Sequence, residues 1–265
     1  MSLSGNIPRP FPNGLLIEIA ARSRLLLMLD YDGTIAPIVS DPAAAWPLNR
    51  AREALLALAA RRDRIDVAII SGRGIAELAR LLGVSRGIYL AGVHGLEITD
   101  PDGRYEVVAG PEDALPQLEM VRRWLQEQIR DGAGLTVEDK RLALALHYRN
   151  ADPAIARRLV DEFENFVARE AGHLIIKRGK QVSEAAPRGA DKGAAVKRLV
   201  ERMGGSVPVY FGDDLTDEDA FRALAGRGLS VMVEGEGESA ALYRVESPAA
   251  VAAILGELAV ALESL

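Results

Sequence analysis

Cysteine is missing from all 265 residues, which excludes disulfides, thiolate metal sites and cysteine nucleophiles and fits a reducing compartment. No stretch approaches the ~20 uninterrupted apolar residues of a membrane span, so no membrane partner is expected. Positive charge is also short: 32 Lys and Arg against 38 Asp and Glu leave a net charge of −6. That balance gives no basic footprint for nucleic acid, and an anionic ligand would have to be drawn in locally by a cation or by helix N-termini. The stretch Met1–Gly14 has neither a basic start nor a long apolar run, so it does not read as a signal peptide. A loose arm is expected there. Low-complexity linkers are absent, and 49% hydrophobic with 26% charged residues is ordinary for a globular protein of one large domain or two modest ones. The expectation is a soluble, cytoplasmic protein whose oligomeric state is left open, a monomer being compatible with the sequence.

What the chain does contain is an apolar run, Leu25–Leu29, that stops abruptly at Asp30-Tyr31-Asp32-Gly33-Thr34. Such a run reads as a strand buried on both faces, the pattern of a central parallel strand. Its two acids then sit where open α/β sheets bind ligands, although Asp-x-Asp-Gly also serves as a plain turn. Asn49–Arg62 carries a helical stripe, Asp66–Ile70 reads as the next strand, and Ile75–Leu82 as a helix. Between these last two, Ser71-Gly72-Arg73-Gly74 offers a hydroxyl and backbone amides at a helix start. It is either a phosphate-binding corner or an N-cap with a tight turn. Gly87–Ala91 is a third strand, and His94 beyond it either lines the same rim or is structural. Glu97–Thr99 and Tyr105–Val108 flank the hairpin signal Asp100-Pro101-Asp102-Gly103.

From about Gly110 the pattern changes to helix, strand, strand, repeated twice: a small α+β domain with an open antiparallel sheet. In Arg141–Arg149, Leu142, Leu144, Leu146 and Tyr148 alternate with Ala143, Ala145, His147 and Arg149, so one face packs on helices. The other carries Lys140, His147, Arg149 and Glu184, and is either a lid surface or a solvated one. Strand-helix alternation then returns. Lys192 opens a helix, where a cation works against the macrodipole unless an anion lies near. Val207–Phe211 is a strand followed by Gly212-Asp213-Asp214-Leu215-Thr216-Asp217-Glu218-Asp219, whose five acids would repel one another without a counter-ion. Thr216 is expected to cap the next helix and Asp217, Glu218 and Asp219 to fill its first turn, which leaves Asp213 and Asp214 as the stronger metal candidates. Leu229–Val233 is a last strand and Pro248–Leu262 a last helix. Carboxylates and a serine at three strand ends, a lysine at a helix start and a Mg²⁺ make a phosphoryl-transfer toolkit.

Asp30-Tyr31-Asp32-Gly33-Thr34, Ser71, Lys192 and Gly212-Asp213-Asp214 resemble, in order, the four motifs of the haloacid dehalogenase superfamily of phosphatases. Pro37-Ile38-Val39, Asp41-Pro42, His94-Gly95-Leu96-Glu97, Val137-Glu138-Asp139-Lys140, Leu146-His147-Tyr148-Arg149 and the run Gly212–Phe221 extend the likeness to the trehalose-6-phosphate phosphatases. The resemblance covers about residues 25–258. It implies an α/β fold with a Rossmann-like parallel-sheet core, residues 1–109 and 186–265, and an inserted small α+β cap, residues 110–185. It implies Asp30 as nucleophile forming an aspartyl phosphate, Asp32 as general acid and base, and Ser71 and Lys192 as the grip on the phosphoryl oxygens. Asp30, Asp32, Asp213 and Asp214 would serve the Mg²⁺, with Asp217 behind them. Thr34, Gly72, Arg73, His94, Glu138, Lys140, Arg149 and Glu184 would contact a small-molecule sugar phosphate. The rival readings are a phosphatase for a sucrose or mannosylglycerate phosphate and a non-catalytic sugar-phosphate-binding module. One position departs from the family pattern: Ala186 stands where a basic residue usually precedes the proline.

Overall fold

The computed structural model describes residues 6–39, 41–84, 86–108, 112–129, 134–179 and 181–264. The chain forms two compact units, residues 1–106 with 191–265, and residues 107–190. The expected boundary at Gly110 lies outside the described residues.

The first unit opens with Arg9–Pro10 (β1), Leu15–Ala20 (α1), Leu25–Leu29 (β2), Asn49–Ala59 (α2), Ile65–Ile70 (β3), Ile75–Leu82 (α3), Tyr89–Gly92 (β4), Glu97–Thr99 (β5) and Tyr105–Val107 (β6). With three strands from late in the chain, Val207–Gly212 (β11), Leu229–Val233 (β12) and Tyr243–Val245 (β13), its strands form a nine-stranded sheet in the order β1-β13-β12-β11-β2-β3-β4-β5-β6. Pairing is parallel from β1 to β4 and antiparallel from β4 to β5. All five residues of β2 are buried, because parallel neighbours flank it and helices cover both faces. This places its carboxyl end at the middle of the sheet's rim.

The second unit holds Leu115–Gln128 (α4), Thr136–Asp139 (β7), Leu144–His147 (β8), Pro153–Glu170 (α5), Leu174–Gly179 (β9) and Val182–Pro187 (β10), a four-stranded antiparallel sheet in the order β7-β8-β10-β9. Leu144, Leu146 and Tyr148 join Leu118, Val121, Leu125, Leu159 and Phe163 in its own core, and Trp124 stacks on Phe166 with ring centroids 4.9 Å apart. Ala186 is fully buried and opposite Ile175 in the β9–β10 ladder, a place that suits a small side chain. The first unit resumes with Lys192–Arg202 (α6), Val207–Gly212 (β11), Asp217–Ala223 (α7), Leu229–Val233 (β12), Tyr243–Val245 (β13) and Pro248–Glu263 (α8). Among the described residues no helix is long and apolar enough to cross a membrane.

Two expectations need correction. The N-terminal arm is not loose over its described residues: Asn6 bridges Ser239, Arg9 and Pro10 pair with Tyr243 and Arg244, and Phe11 packs edge-on against Tyr243. Aromatic packing and an otherwise unpaired sheet edge outweigh the local Pro and Gly content. Thr216 occupies the N-cap position of α7 with helical dihedrals and makes no side-chain cap bond; its hydroxyl donates to Asp214 Oδ1 at 2.6 Å instead.

Candidate active site

Where β2 ends, Asp30 is 4% exposed and receives a hydrogen bond from Lys192 Nζ at 2.8 Å. Lys192 is the first residue of α6, and the same ammonium donates to Asp217 Oδ1 at 2.8 Å. Two carboxylates therefore answer the helix dipole that this lysine opposes. Asp217 is fully buried and takes four donors: Lys192 and the Tyr210 hydroxyl (2.5 Å) on Oδ1, and the Asp213 and Asp214 amides (3.0 Å each) on Oδ2. The turn after β11 is thus wrapped around one side chain. Gly212 permits it, since a Cβ there would overlap the Asp217 carboxyl group. Gly33, in the left-handed region at φ +80°, likewise leaves room for the Asp213 carboxylate.

Burial pushes the Asp30 carboxyl well up, against the pull of Lys192, and pushes Asp217 up to about 6. Burial alone would depress Lys192, but Asp217 and Asp30 outweigh it and hold the ammonium well above its ordinary range. Asp214 goes the other way: burial would raise it, yet Lys192 and the Thr216 bonds hold it well down. The expected mutual repulsion of the acid run is met largely by partners. Glu218 accepts from Ser239 Oγ and the Ala240 amide, and Asp219 pairs with Arg222 at 3.1 Å.

Asp32 has a different counter-charge. Arg73 grips it with two parallel bonds, 2.6 and 2.8 Å, and reaches Glu77 with a third at 2.6 Å. Its guanidinium lies 5.4 Å from the centre of the Tyr31 ring, whose hydroxyl is fixed on the Ala45 carbonyl. Ser71 Oγ accepts from the Arg73 amide, and a Cβ on Gly72 would come within 2.8 Å of the His94 ring. Thr34 is fully buried and its hydroxyl has no hydrogen-bond partner among the described residues.

In the second unit, Glu138 and Glu184 lie opposite Ala145 on its two sides, one on β7 and one on β10. Lys140 donates to Glu184 at 2.5 Å and lies 4.0 Å from Glu138. His147 Nε2 is 2.8 Å from Glu138 Oε2. Burial would raise Glu138, but His147 and Lys140 bring it below its ordinary value. Arg149, just past β8, is half-buried.

Carboxylate oxygens of Asp30, Asp213 and Asp217 lie within 4.8 Å of one another. Three hard oxygen donors suit a small divalent cation, and Asp30 and Asp213 suit it best, because both Asp217 oxygens are already engaged. The carboxylates of Asp32 and Asp214 are turned to Arg73 and Thr216 and lie outside that trio. Sequence reasoning missed Tyr210 and Glu77. Tyr210 hides inside an apolar strand; the i,i+4 spacing of Arg73 and Glu77 on a helix start was the one available signal.

The parallel-sheet core with an inserted α+β unit is the fold of haloacid dehalogenase-like hydrolases. One such protein from Bacteroides thetaiotaomicron shares the fold, with a TM-score of 0.64 at 19% identity over 89% of this chain and 99% of its own. Residues 28–248 match the family described as trehalose-phosphatase, and the chain belongs to that family. It is 39% identical to the trehalose-phosphate phosphatase of Mycobacterium marinum over 96% of this chain and 65% of that protein, so it spans about two thirds of that relative's length. The structure of the C. albicans trehalose-6-phosphate phosphatase C-terminal domain is similar with a TM-score of 0.83 and 27% identity, covering 96% of this chain and 98% of that one.

Proposed function

We propose that this chain is a phosphoric monoester hydrolase that converts trehalose 6-phosphate to trehalose and phosphate. The observation that carries the reading is the buried Asp30–Lys192–Asp217 network beside Asp213, at the sheet rim of a trehalose-phosphatase family member. Mg²⁺ would be held by Asp30 and Asp213 and would supply charge neutralisation to an incoming phosphate. The Asp30 oxygen that Lys192 does not hold attacks phosphorus in line, and the bond to the sugar oxygen breaks. Asp32, once a proton replaces Arg73 on its carboxylate, gives that proton to the leaving oxygen. It then takes a proton from the water that attacks the aspartyl phosphate, which releases phosphate and restores the Asp30 carboxylate. Arg73 fixes the direction in which Asp32 faces. Lys192 Nζ, Ser71 and the Thr34 hydroxyl stabilise the phosphoryl oxygens.

The inserted unit acts as a cap over about residues 110–185. Its Glu138, Lys140, Glu184 and Arg149 bind sugar hydroxyls, because unpaired polar groups penalise a wrong sugar; in the core, His94 is a substrate contact in its own right. The test is a panel of sugar phosphates incubated with Mg²⁺ and scored for released phosphate, including the sucrose and mannosylglycerate types. Trehalose 6-phosphate should lead the panel by a wide margin. Turnover no better than that of glucose 6-phosphate would sink the substrate assignment.

A further inference from the structure

We infer that Glu97 is a positioning residue for the phosphate grip, seating the loop Ser71–Gly74 by capping α3 from a different strand; this rests on the reading that Ser71 holds phosphoryl oxygens. The residue before α3 is Gly74, which supplies no side-chain cap, so the first amide of that helix needs an acceptor from elsewhere. Glu97, at the start of β5 and only 6% exposed, provides it: Oε1 accepts from the Ile75 amide at 2.7 Å. Its other oxygen accepts from the Tyr105 hydroxyl at 3.0 Å. Both oxygens of a buried carboxylate are thus spent on orientation.

The surroundings are shaped for this contact. A Cβ on Gly92 would come within 2.6 Å of Glu97 Oε1, 2.8 Å of the Ile75 amide and 2.9 Å of the Arg73 carbonyl, so only glycine admits the carboxylate there. The intervening turn binds the same loop directly: the Val93 amide donates to the Arg73 carbonyl and the His94 amide to the Ser71 carbonyl, 2.9 Å each. To reach these carbonyls, Val93 and His94 adopt φ of 47° and 55°. Left-handed backbone at a β-branched residue is costly and persists only where its surroundings enforce it. Residues 92–97 therefore form a bracket with three attachments to the loop that carries Ser71 and Arg73, and Glu97 is its side-chain arm. Since the first amide of α3 is taken by Glu97, the phosphate must rely on Ser71, the Thr34 hydroxyl and Lys192.

Four variants separate this role from a bulk structural one. Glu97→Gln keeps an acceptor of the same reach, Glu97→Asp keeps the charge but is one methylene short, Glu97→Ala removes both, and Gly92→Ala displaces an intact Glu97. Affinity for inorganic phosphate in the presence of Mg²⁺, by calorimetry, and kcat/KM on trehalose 6-phosphate are read together, with thermal melts as the folding control. Misplacing a gripping group by about 1 Å can cost about a hundredfold, so Asp, Ala and the Gly92 variant should lose about ten- to a hundredfold in both, while Gln stays near the parent. Unchanged phosphate affinity in folded Glu97→Asp, or a Gln variant as impaired as Asp, would overturn the inference. If Glu97→Ala does not fold, the Gln and Asp pair still decides. Failure to turn over trehalose 6-phosphate with the phosphate series intact would remove the substrate assignment alone.

Discussion

Asp217 shows at the residue scale how much depends on one buried carboxylate. Removing one partner of a buried, hydrogen-bonded ion pair typically costs about 3–5 kcal/mol, because the other charge is left uncompensated. Asp217→Ala should therefore lower the free energy of urea unfolding by that order, and a loss under 1 kcal/mol would show that Lys192 does not depend on it. Tyr210→Phe removes one bond to a charged group and should cost about 2 kcal/mol. Asp30→Asn keeps an acceptor for Lys192 but removes a buried counter-charge, so it should lower the melt by less than Asp217→Ala while abolishing phosphate release, whereas retained turnover would remove the covalent route. The acids and Lys192 were legible in the sequence, because carboxylates ending apolar strands and a lysine opening a helix each conflict with their local setting. Tyr210 was not, since a phenol within Val207–Phe211 looks like any other core ring until its hydroxyl partner is known.

At the scale of elements, strand and helix positions were readable from period and punctuation, and β2 and α3 fall on the expected residues. Contacts between distant segments were not. Nothing local in Ile7–Gly14 says that Phe11 meets Phe211 and Tyr243, or that a two-residue strand completes the sheet edge. Phe11→Ala should cost about 2 kcal/mol, below the usual 3–5 for a fully buried ring because Phe11 is only partly buried. An unfolding midpoint equal to the parent's would mean the arm contributes no packing. The acid run after β11 is likewise an interelement matter. Its length suggested a cation, but Glu218 and Asp219 turn out to be spent on Ser239 and Arg222.

For the whole molecule, the two units should respond oppositely to acid. In the insertion, Glu119 is held below its ordinary value by Arg123 and Arg122, Asp139 by Arg122 and Glu164 by Arg178, with burial acting the other way in each; Glu138 is held down by His147 and Lys140 against its burial. A lowered folded-state pKa gives stability that is present above the unfolded value near 4 and is lost as pH falls through the folded one. In the core, Asp217 is raised to about 6, so the metal-free native state binds the proton more tightly and stability falls as pH rises from about 4 to about 6. The two tryptophans, Trp46 in the core and Trp124 in the insertion, let each unit be followed alone after Trp124→Phe or Trp46→Phe. A core melt that does not fall between pH 4 and 6, or an insertion melt that does not fall as pH drops below about 4, would refute the assignment. Each main hydrophobic cluster draws only on residues of its own unit. In terms of inheritance the insertion is then a cassette: mutations accumulating in its core leave the packing around β2 untouched. If the insertion contacts the sugar as proposed, a lineage can change what the cassette recognises without rewriting the residues around Asp30.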